Sequence, residues 1–312
     1  MKRHFIQGLA LLCVLFVSLS AVSVRADEKV TLVYTNSLNG ALDYCRCKSD
    51  PKGGLVKRAT EIREIQKAYP NVVLFESGDF ASYDPDPLLY GYLVQAYRHI
   101  KYDAILFGDQ EFSAGIPNFL RYKNELPFVC DNIVIKNENR WEQFATRTIT
   151  LKRGGLVIGV IGTIAPSAFR YYSRGITGSV RVSGQVDEIR KDVKALRNDG
   201  AGLVVLLSHS GYGADCELEK DIPGVDIIIG GHSQTLLKNP VKGVNAIIVQ
   251  AGADGAHIGI LECVVSKDGI RSYKNSFRRP DENRPADDAY IRSLITRYQE
   301  ETEKEFKKMR FK

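Results

Sequence analysis

After residue 26 the chain has no apolar run long enough to cross a bilayer, no internal repeat, no low-complexity segment and no long linker. These absences argue against a bundle of membrane-spanning helices, a repeat solenoid and an unstructured scaffold. Net charge is also scarce. The formal charge of +6 falls to +3 once Lys2, Arg3 and Arg25 are set aside with the first 26 residues, which contain no acid. That balance gives no argument for a nucleic-acid polymer as partner. Histidine is rare, with five in 312 residues, so any histidine at the end of a buried strand carries information.

What is present is ordinary globular material, 44% hydrophobic and 26% charged, enough to build a core. Residues 1–26 read as a signal peptide: a basic start at Lys2 and Arg3, an apolar run from about Phe5 to Val22, and Val24-Arg25-Ala26 with small residues at the two cleavage positions. The expectation is an exported protein, periplasmic or secreted, whose domain covers residues 27–312 and which has no membrane association beyond its leader.

Short β-branched runs recur at 30–35, 72–76, 104–108, 127–134, 156–162, 203–209, 225–231, 246–252 and 257–265. Helical patterns lie between several of them, at about 55–69, 86–100, 115–123, 184–198 and 287–309. Strands alternating with helices predict an α/β layered fold with a largely parallel core. The late run from 246 to 278, with only "SKDG" between its last two strands, reads as an antiparallel addition. Sites in such sheets form beyond the carboxyl ends of strands. Four strand ends there carry Asp79 in "SGDF", Asp109 in "GDQEF", His209 after "LVVLLS" and His232 after "VDIIIGG". A lone aspartate after glycine is commonly a turn former, and a lone histidine is commonly satisfied by backbone. Together, two carboxylates and two imidazoles form a four-ligand set suited to one divalent Zn, Mn or Fe ion.

With these residues in view, the chain resembles the 5′-nucleotidase-like branch of the calcineurin-like metallophosphoesterases from about residue 30 to 266. "VYTNSLNG" stands where the family has Thr-Asn-Asp-x-His-Gly, "ESGDF" at the Gly-Asp motif and "FGDQEFSAG" at Gly-Asn-His-Glu-Phe. "VLLSHSGYGAD", "VDIIIGGHSQT" and "VQAGADGAHIG" follow in the family's order. The resemblance implies a single-domain, four-layer α/β/β/α sandwich, without the nucleotide-selecting second domain of the larger nucleotidases. It implies that one metal site keeps ligands at Asp79, Asp109, His209 and His232. The second site is degenerate: Ser37, Asn39 and Gln234 replace charged or imidazole ligands. Gln110 replaces the histidine that assists the leaving group, and an amide cannot act as general acid.

Five cysteines follow the leader. Cys130 and Cys263 sit on or at the end of strand-like runs and read as buried packing residues. Cys45 and Cys47 form a Cys-x-Cys loop after the first motif, similar to that of a bacterial subgroup of nucleotidase-like proteins. Three readings stay open for it. The thiolates could replace the lost ligands for a soft metal, or form a redox pair lowered in pKa by Arg46 and Lys48 with Cys216 as exchange partner, or be tied in a structural bridge such as Cys45 or Cys47 to Cys216. The functional expectation is an exported metal-binding protein of this fold, hydrolysing a small phosphate ester or nucleotide at a reduced mononuclear site. The alternative is a non-hydrolytic thiol redox or metal-handling protein using Cys45 and Cys47. No protein partner is named by the sequence.

Overall fold

A computed structural model of the chain describes residues 27–45, 54–280 and 286–310. The proposed leader and Cys47 lie outside the described residues. One five-stranded sheet runs in the order β14 (Gly269–Arg278), β13 (Ile258–Ser266), β1 (Glu28–Thr35), β2 (Val72–Ser77) and β3 (Ala104–Leu106). The other sheet, of six strands, runs β11 (Val241–Lys242), β12 (Ile247–Val249), β10 (Ile227–Gly230), β9 (Leu203–His209), β7 (Leu156–Ile164) and β6 (Thr148–Arg153). A three-stranded sheet of β5 (Arg140–Glu142), β4 (Ile133–Asn137) and β8 (Val180–Val182) sits to one side. The helices are α1 (Gly54–Ala68), α2 (Pro87–Ile100), α3 (Ile116–Arg121), α4 (Arg174–Thr177), α5 (Gln185–Asn198), α6 (Tyr212–Leu218) and α7 (Ala289–Arg310).

The layering follows from strands that are apolar on both faces. In β9, Leu203, Val205 and Leu207 point into the core between the sheets, while Val204 and Leu206 point outward to a second core with Ile189, Val193 and Leu196 of α5. In β10, Ile227 and Ile229 face inward and Ile228 outward. Such strands read as continuous apolar runs because helices or sheets cover both sides. Helices α1, α2 and α7 pack together outside the first sheet, and α5 and α6 cover the second. The result is the four-layer α/β/β/α sandwich that the resemblance implied.

Strands β1, β2 and β3 are parallel, as are β7, β9, β10 and β12. The run at 246–252 is therefore a correction: β12 pairs parallel with β10 in the second sheet, and only β13 and β14 form the antiparallel addition, beside β1. The expected strand at 127–134 is also divided. Phe128 and Val129 make single parallel bridges to Ile105 and Thr146, and β4 begins at Ile133. Between them the Asn132 side chain donates to the carbonyls of Ile164 and Ser183 at 2.9 and 3.0 Å, using the polar residue to join layers rather than continue a ladder. Helix α2 starts where Asp86 accepts from the Leu89 amide at 2.8 Å with Pro87 in the first turn. It ends at Lys101 with φ of 64°.

Candidate metal centre

Four strand ends converge beyond the carboxyl edges of the two facing sheets. β2 delivers Asp79, β3 delivers Asp109, β9 ends on His209, and β10 is followed by His232. The sheets are joined at this edge, where the Ser77 hydroxyl donates to the Ile229 carbonyl at 2.8 Å. Glycine lets the groups approach. A Cβ at Gly108 would lie 2.3 Å from Asp79 Oδ1 and 2.5 Å from His209 Cε1, so no side chain fits there.

One ligand atom from each of Asp79, Asp109, His209 and His232 lies within 4.8 Å of the others, the spread that a single ion can bridge. His209 Nδ1 is 2.8 Å from the Ser77 carbonyl and donates to it, which turns Nε2 toward the carboxylates. Nε2 lies 3.3 Å from Asp79 Oδ1 and 3.1 Å from Asp109 Oδ1, and His232 Nδ1 lies 3.2 Å from Asp109 Oδ1. Burial alone would raise the Asp109 carboxyl, but hydrogen bonds and charge from His209 and His232 overrule it and hold Asp109 well below the usual carboxylate range. Burial would lower His209, yet the Asp79 and Asp109 charges raise it well above the ordinary imidazole value. The pocket is thus built to hold positive charge, and a divalent ion would compete with the His209 proton. Two carboxylates and two imidazole nitrogens fit Zn, Mn or Fe.

The other half of the cleft is different in chemistry. Asn39 donates from Nδ2 to Asp254 Oδ1 at 2.7 Å and accepts at Oδ1 from Gln110 Nε2 at 3.2 Å. Both ends of the Asn39 amide are therefore engaged in a chain running Gln110–Asn39–Asp254. The Ser37 hydroxyl accepts from Asn36 Nδ2 at 3.2 Å, and Gln234 is exposed, with no side-chain hydrogen bond among the described residues. Backbone bonds lace this loop down: Ser37 N–H to the Gly78 carbonyl at 2.8 Å, Asn39 N–H to the Asp79 carbonyl at 2.9 Å, and Asp254 N–H to the Ser37 carbonyl at 2.7 Å. Ser37, Asn39, Asp79, His232 and Gln234 all hold left-handed backbone, with φ of 49°, 54°, 61°, 65° and 55°. The side chains of Ser37, Asn39 and Gln234 add no carboxylate or imidazole, so they are poor partners for a second Zn, Mn or Fe ion.

Two residues at the centre carried no assigned role in the sequence reading. Glu111 is fully buried and accepts from the amides of Asp79 at 3.1 Å, Ala81 at 2.8 Å and, closer still, Gly108. It pins both aspartate loops. Burial and the Asp79 charge push its carboxyl up to about 8, against the pull of the Ala81 and Gly108 amides. Its place within "GDQEF" was the available signal. Tyr172, after β7, buries its hydroxyl beside Asp109 without a well-formed hydrogen bond. Burial first, and then the charges of Asp109, Asp79 and Glu111, raise its phenol far above the ordinary value, so it stays a neutral donor. Nothing in "FRYYS" distinguishes it from an exposed loop aromatic.

The cysteines divide. Cys130 and Cys263 are free and buried, as expected, with Cys263 pushed up to about 12 by burial. Cys45 is disulfide-bonded, whereas Cys216 is free, so the proposed bridge to Cys216 is not formed. The reason is placement. Cys216 lies on α6 and packs with Val157, Val186 and Val241 against the core outside the second sheet. The chain just before Cys45 is fastened to the opposite outer layer: Arg292 of α7 takes both oxygens of Asp43 at 2.9 and 3.0 Å, and Lys57 of α1 lies over the Tyr44 ring.

No family model matches the chain. A snake venom 5′-nucleotidase from Naja atra is 27% identical over 256 residues, covering 75% of this chain and 47% of the relative. Among solved structures, a 5′-nucleotidase precursor from Thermus thermophilus superposes with a TM-score of 0.78 at 23% identity, over 88% of this chain and 59% of that one. The calcineurin-like phosphoesterase YfkN from Bacillus subtilis superposes with a TM-score of 0.71 at 20% identity, over 88% and 98%. The chain spans about half the length of the curated relatives it matches.

Proposed function

We propose that this chain, 5′-nucleotidase-like in sequence and a metallophosphoesterase in fold, is an exported hydrolase of small phosphate esters that works with a single divalent metal ion. The observation that carries the reading is the asymmetry of the cleft: one complete, charged four-ligand set beside a second position whose side chains are neutral and hydrogen-bonded. Asp79, Asp109, His209 and His232 would hold the ion. A divalent ion there supplies Lewis acidity to a phosphoryl oxygen and lowers the pKa of water.

The chain's own groups set what else can happen. The Ser77 carbonyl fixes the His209 tautomer, and Glu111 holds the loops of Asp79 and Asp109 in register. Asn39 and Gln110 offer amide donors and acceptors in place of a second positive charge. Gln110 Oε1 is buried without a partner and can accept from a substrate hydroxyl. Tyr172 offers a neutral O–H beside Asp109, suited to donating to a phosphoryl or leaving-group oxygen. With no imidazole at position 110, esters of good leaving groups should react best. A phosphoesterase panel run with metal analysis of the purified protein tests the reading; a chain that copurifies with no metal and takes up none refutes it.

A second reading is a thiol redox or metal-handling function on the same scaffold, favoured by the disulfide at Cys45. In that case a Cys45→Ser, Cys47→Ser double variant alters metal content or thiol exchange. If both are unchanged, the second reading is lost.

A further inference from the structure

An open cleft of about 1030 Å³ is not lined by any of the four candidate ligands. It lies between α3, α4 and the turn after β4, and Arg121, Lys123 and Lys136 line it with a single acid, Glu138. Neither these three cations nor Glu138 forms an ion pair among the described residues, whereas Arg98, Arg147, Arg153, Arg197, Arg278 and Arg292 elsewhere in the chain do. Ile116, Leu120 and Ile176 add apolar wall. Unpaired cations gathered in one concavity repel each other and focus a positive potential, which an anion relieves.

The cleft adjoins the candidate metal centre at two places in the chain. Ser113 lines it and stands three residues after Gln110, its hydroxyl donating to the Ser82 carbonyl at 2.8 Å. Ser173 lines it and follows Tyr172, whose hydroxyl is beside Asp109. The Tyr172 ring meets Tyr83 edge-on with centroids 6.4 Å apart, and Tyr83 is two residues before Pro85 on the cleft wall. Both loops leave the carboxyl ends of strands, β3 and β7, on the face where the metal ligands gather.

We infer that this basic cleft is a substrate subsite that takes a second anionic group, carried on the leaving half of the phosphate ester. The inference rests on the proposed hydrolase reading and narrows its substrate class to esters with a carboxylate or a further phosphate some atoms away from the scissile bond. The three cations supply the charge, and the apolar wall accepts the carbon skeleton between the two anions.

The test is binding, measured by calorimetry on the metal-loaded protein. The probes are ω-phosphonocarboxylates with two to eight methylenes, each compared with the alkylphosphonate of equal length, neither of which is hydrolysed. At the length that spans the two sites, wild type should prefer the carboxylate probe by about 10-fold or more, equal to about 1.4 kcal/mol. The Arg121→Ala, Lys123→Ala, Lys136→Ala variant should lose that preference while keeping its affinity for the simple phosphonate, and Glu138→Gln should increase it. The preference should also shrink with added salt. No preference at any length, or a preference that survives in the triple variant, overturns the inference. Failure of hydrolysis in the panel alongside an intact probe preference would sink only the proposed function; turnover without the preference would sink only the subsite.

Discussion

The two halves of the cleft share a backbone and differ in charge. On one side Asp79, Asp109, His209 and His232 place four ligand atoms within 4.8 Å of each other. On the other, Ser37 and Asn39 sit on a loop hydrogen-bonded to the same Gly78–Asp79 turn, yet their side chains close on Asn36, Gln110 and Asp254. The difference teaches that a fold can hold its site geometry through main-chain bonds while side chains decide how many ions it takes. Two divalent ions over two carboxylates leave a net positive site, whereas one leaves it near neutral, which weakens the hold on a phosphate dianion.

The sharpest way to break the contrast is to remove a ligand from each side. Asp79→Ala should weaken metal binding by more than about 100-fold, exceeding what the loss of an outer partner costs. Asn39→Ala should leave metal content unchanged and lower stability by about 0.5–1.5 kcal/mol, because the part-buried hydrogen bonds of Asn39 to Gln110 and Asp254 are lost. Elemental analysis and thermal unfolding read both. Equal metal loss in the two variants would show that the halves are not independent.

Gln110→His addresses the missing acid. It should raise turnover of alkyl phosphates by on the order of 100-fold, at the low end of general acid catalysis, with a smaller gain for nitrophenyl phosphate, whose leaving group needs no proton. An equal gain for both substrates would assign the effect to binding. Ser37→Asp with Asn39→His should raise metal stoichiometry from one to two per chain, measured by calorimetric titration. A stoichiometry that stays at one means the Asp254 loop still blocks the position.

The last test, with the smallest expected effect on metal and turnover, is a control outside both halves. Asp131 is buried with neither carboxylate oxygen in a well-formed hydrogen bond, and burial with the Asp192 charge, opposed by Arg147, pushes it up to about 8. A carboxyl raised in the folded state favours the protonated form there. Stability from this group is therefore fully present at and below its ordinary pKa of 3.8, is lost as pH rises from there to about 8, and changes no further above it. Over that window Asp131 should subtract up to about 1.4 kcal/mol of unfolding free energy per pH unit, so Asp131→Asn, compared with wild type by denaturant unfolding at each pH, should remove that part of the slope without touching metal content. A slope identical in the variant removes Asp131 as its source.

Much of the scaffold could be read from the chain because its central strands are covered on both faces. Runs such as "LVVLLSH" and "VDIIIGG" are apolar throughout, so their existence and their polar ends stand out. The short strands β5, β6 and β8 were not legible, since half-exposed three- to six-residue segments carry little pattern. The parallel pairing of β12 was missed because sequence neighbourhood suggests hairpins, while the partner here is fixed by sheet order. At the centre, the four strand-end residues could be assembled from their types and positions. The Asn39–Asp254 contact joins residues 215 apart, and Tyr172 reaches Asp109 from a loop, so neither has a local signal.

Left-handed backbone at Ser37, Asn39 and Gln234 is strained for residues with a side chain, on the order of 1 kcal/mol or more at each. The charged half makes use of the same conformation at Asp79 and His232, where it aims ligands at one point. The neutral half holds the same conformation at Ser37, Asn39 and Gln234, whose side chains carry no charge. It is in effect an uncast mould: a designer wanting a binuclear centre would change side chains and leave the loops alone, whereas one wanting a hardier protein would put glycine at positions 37 and 234.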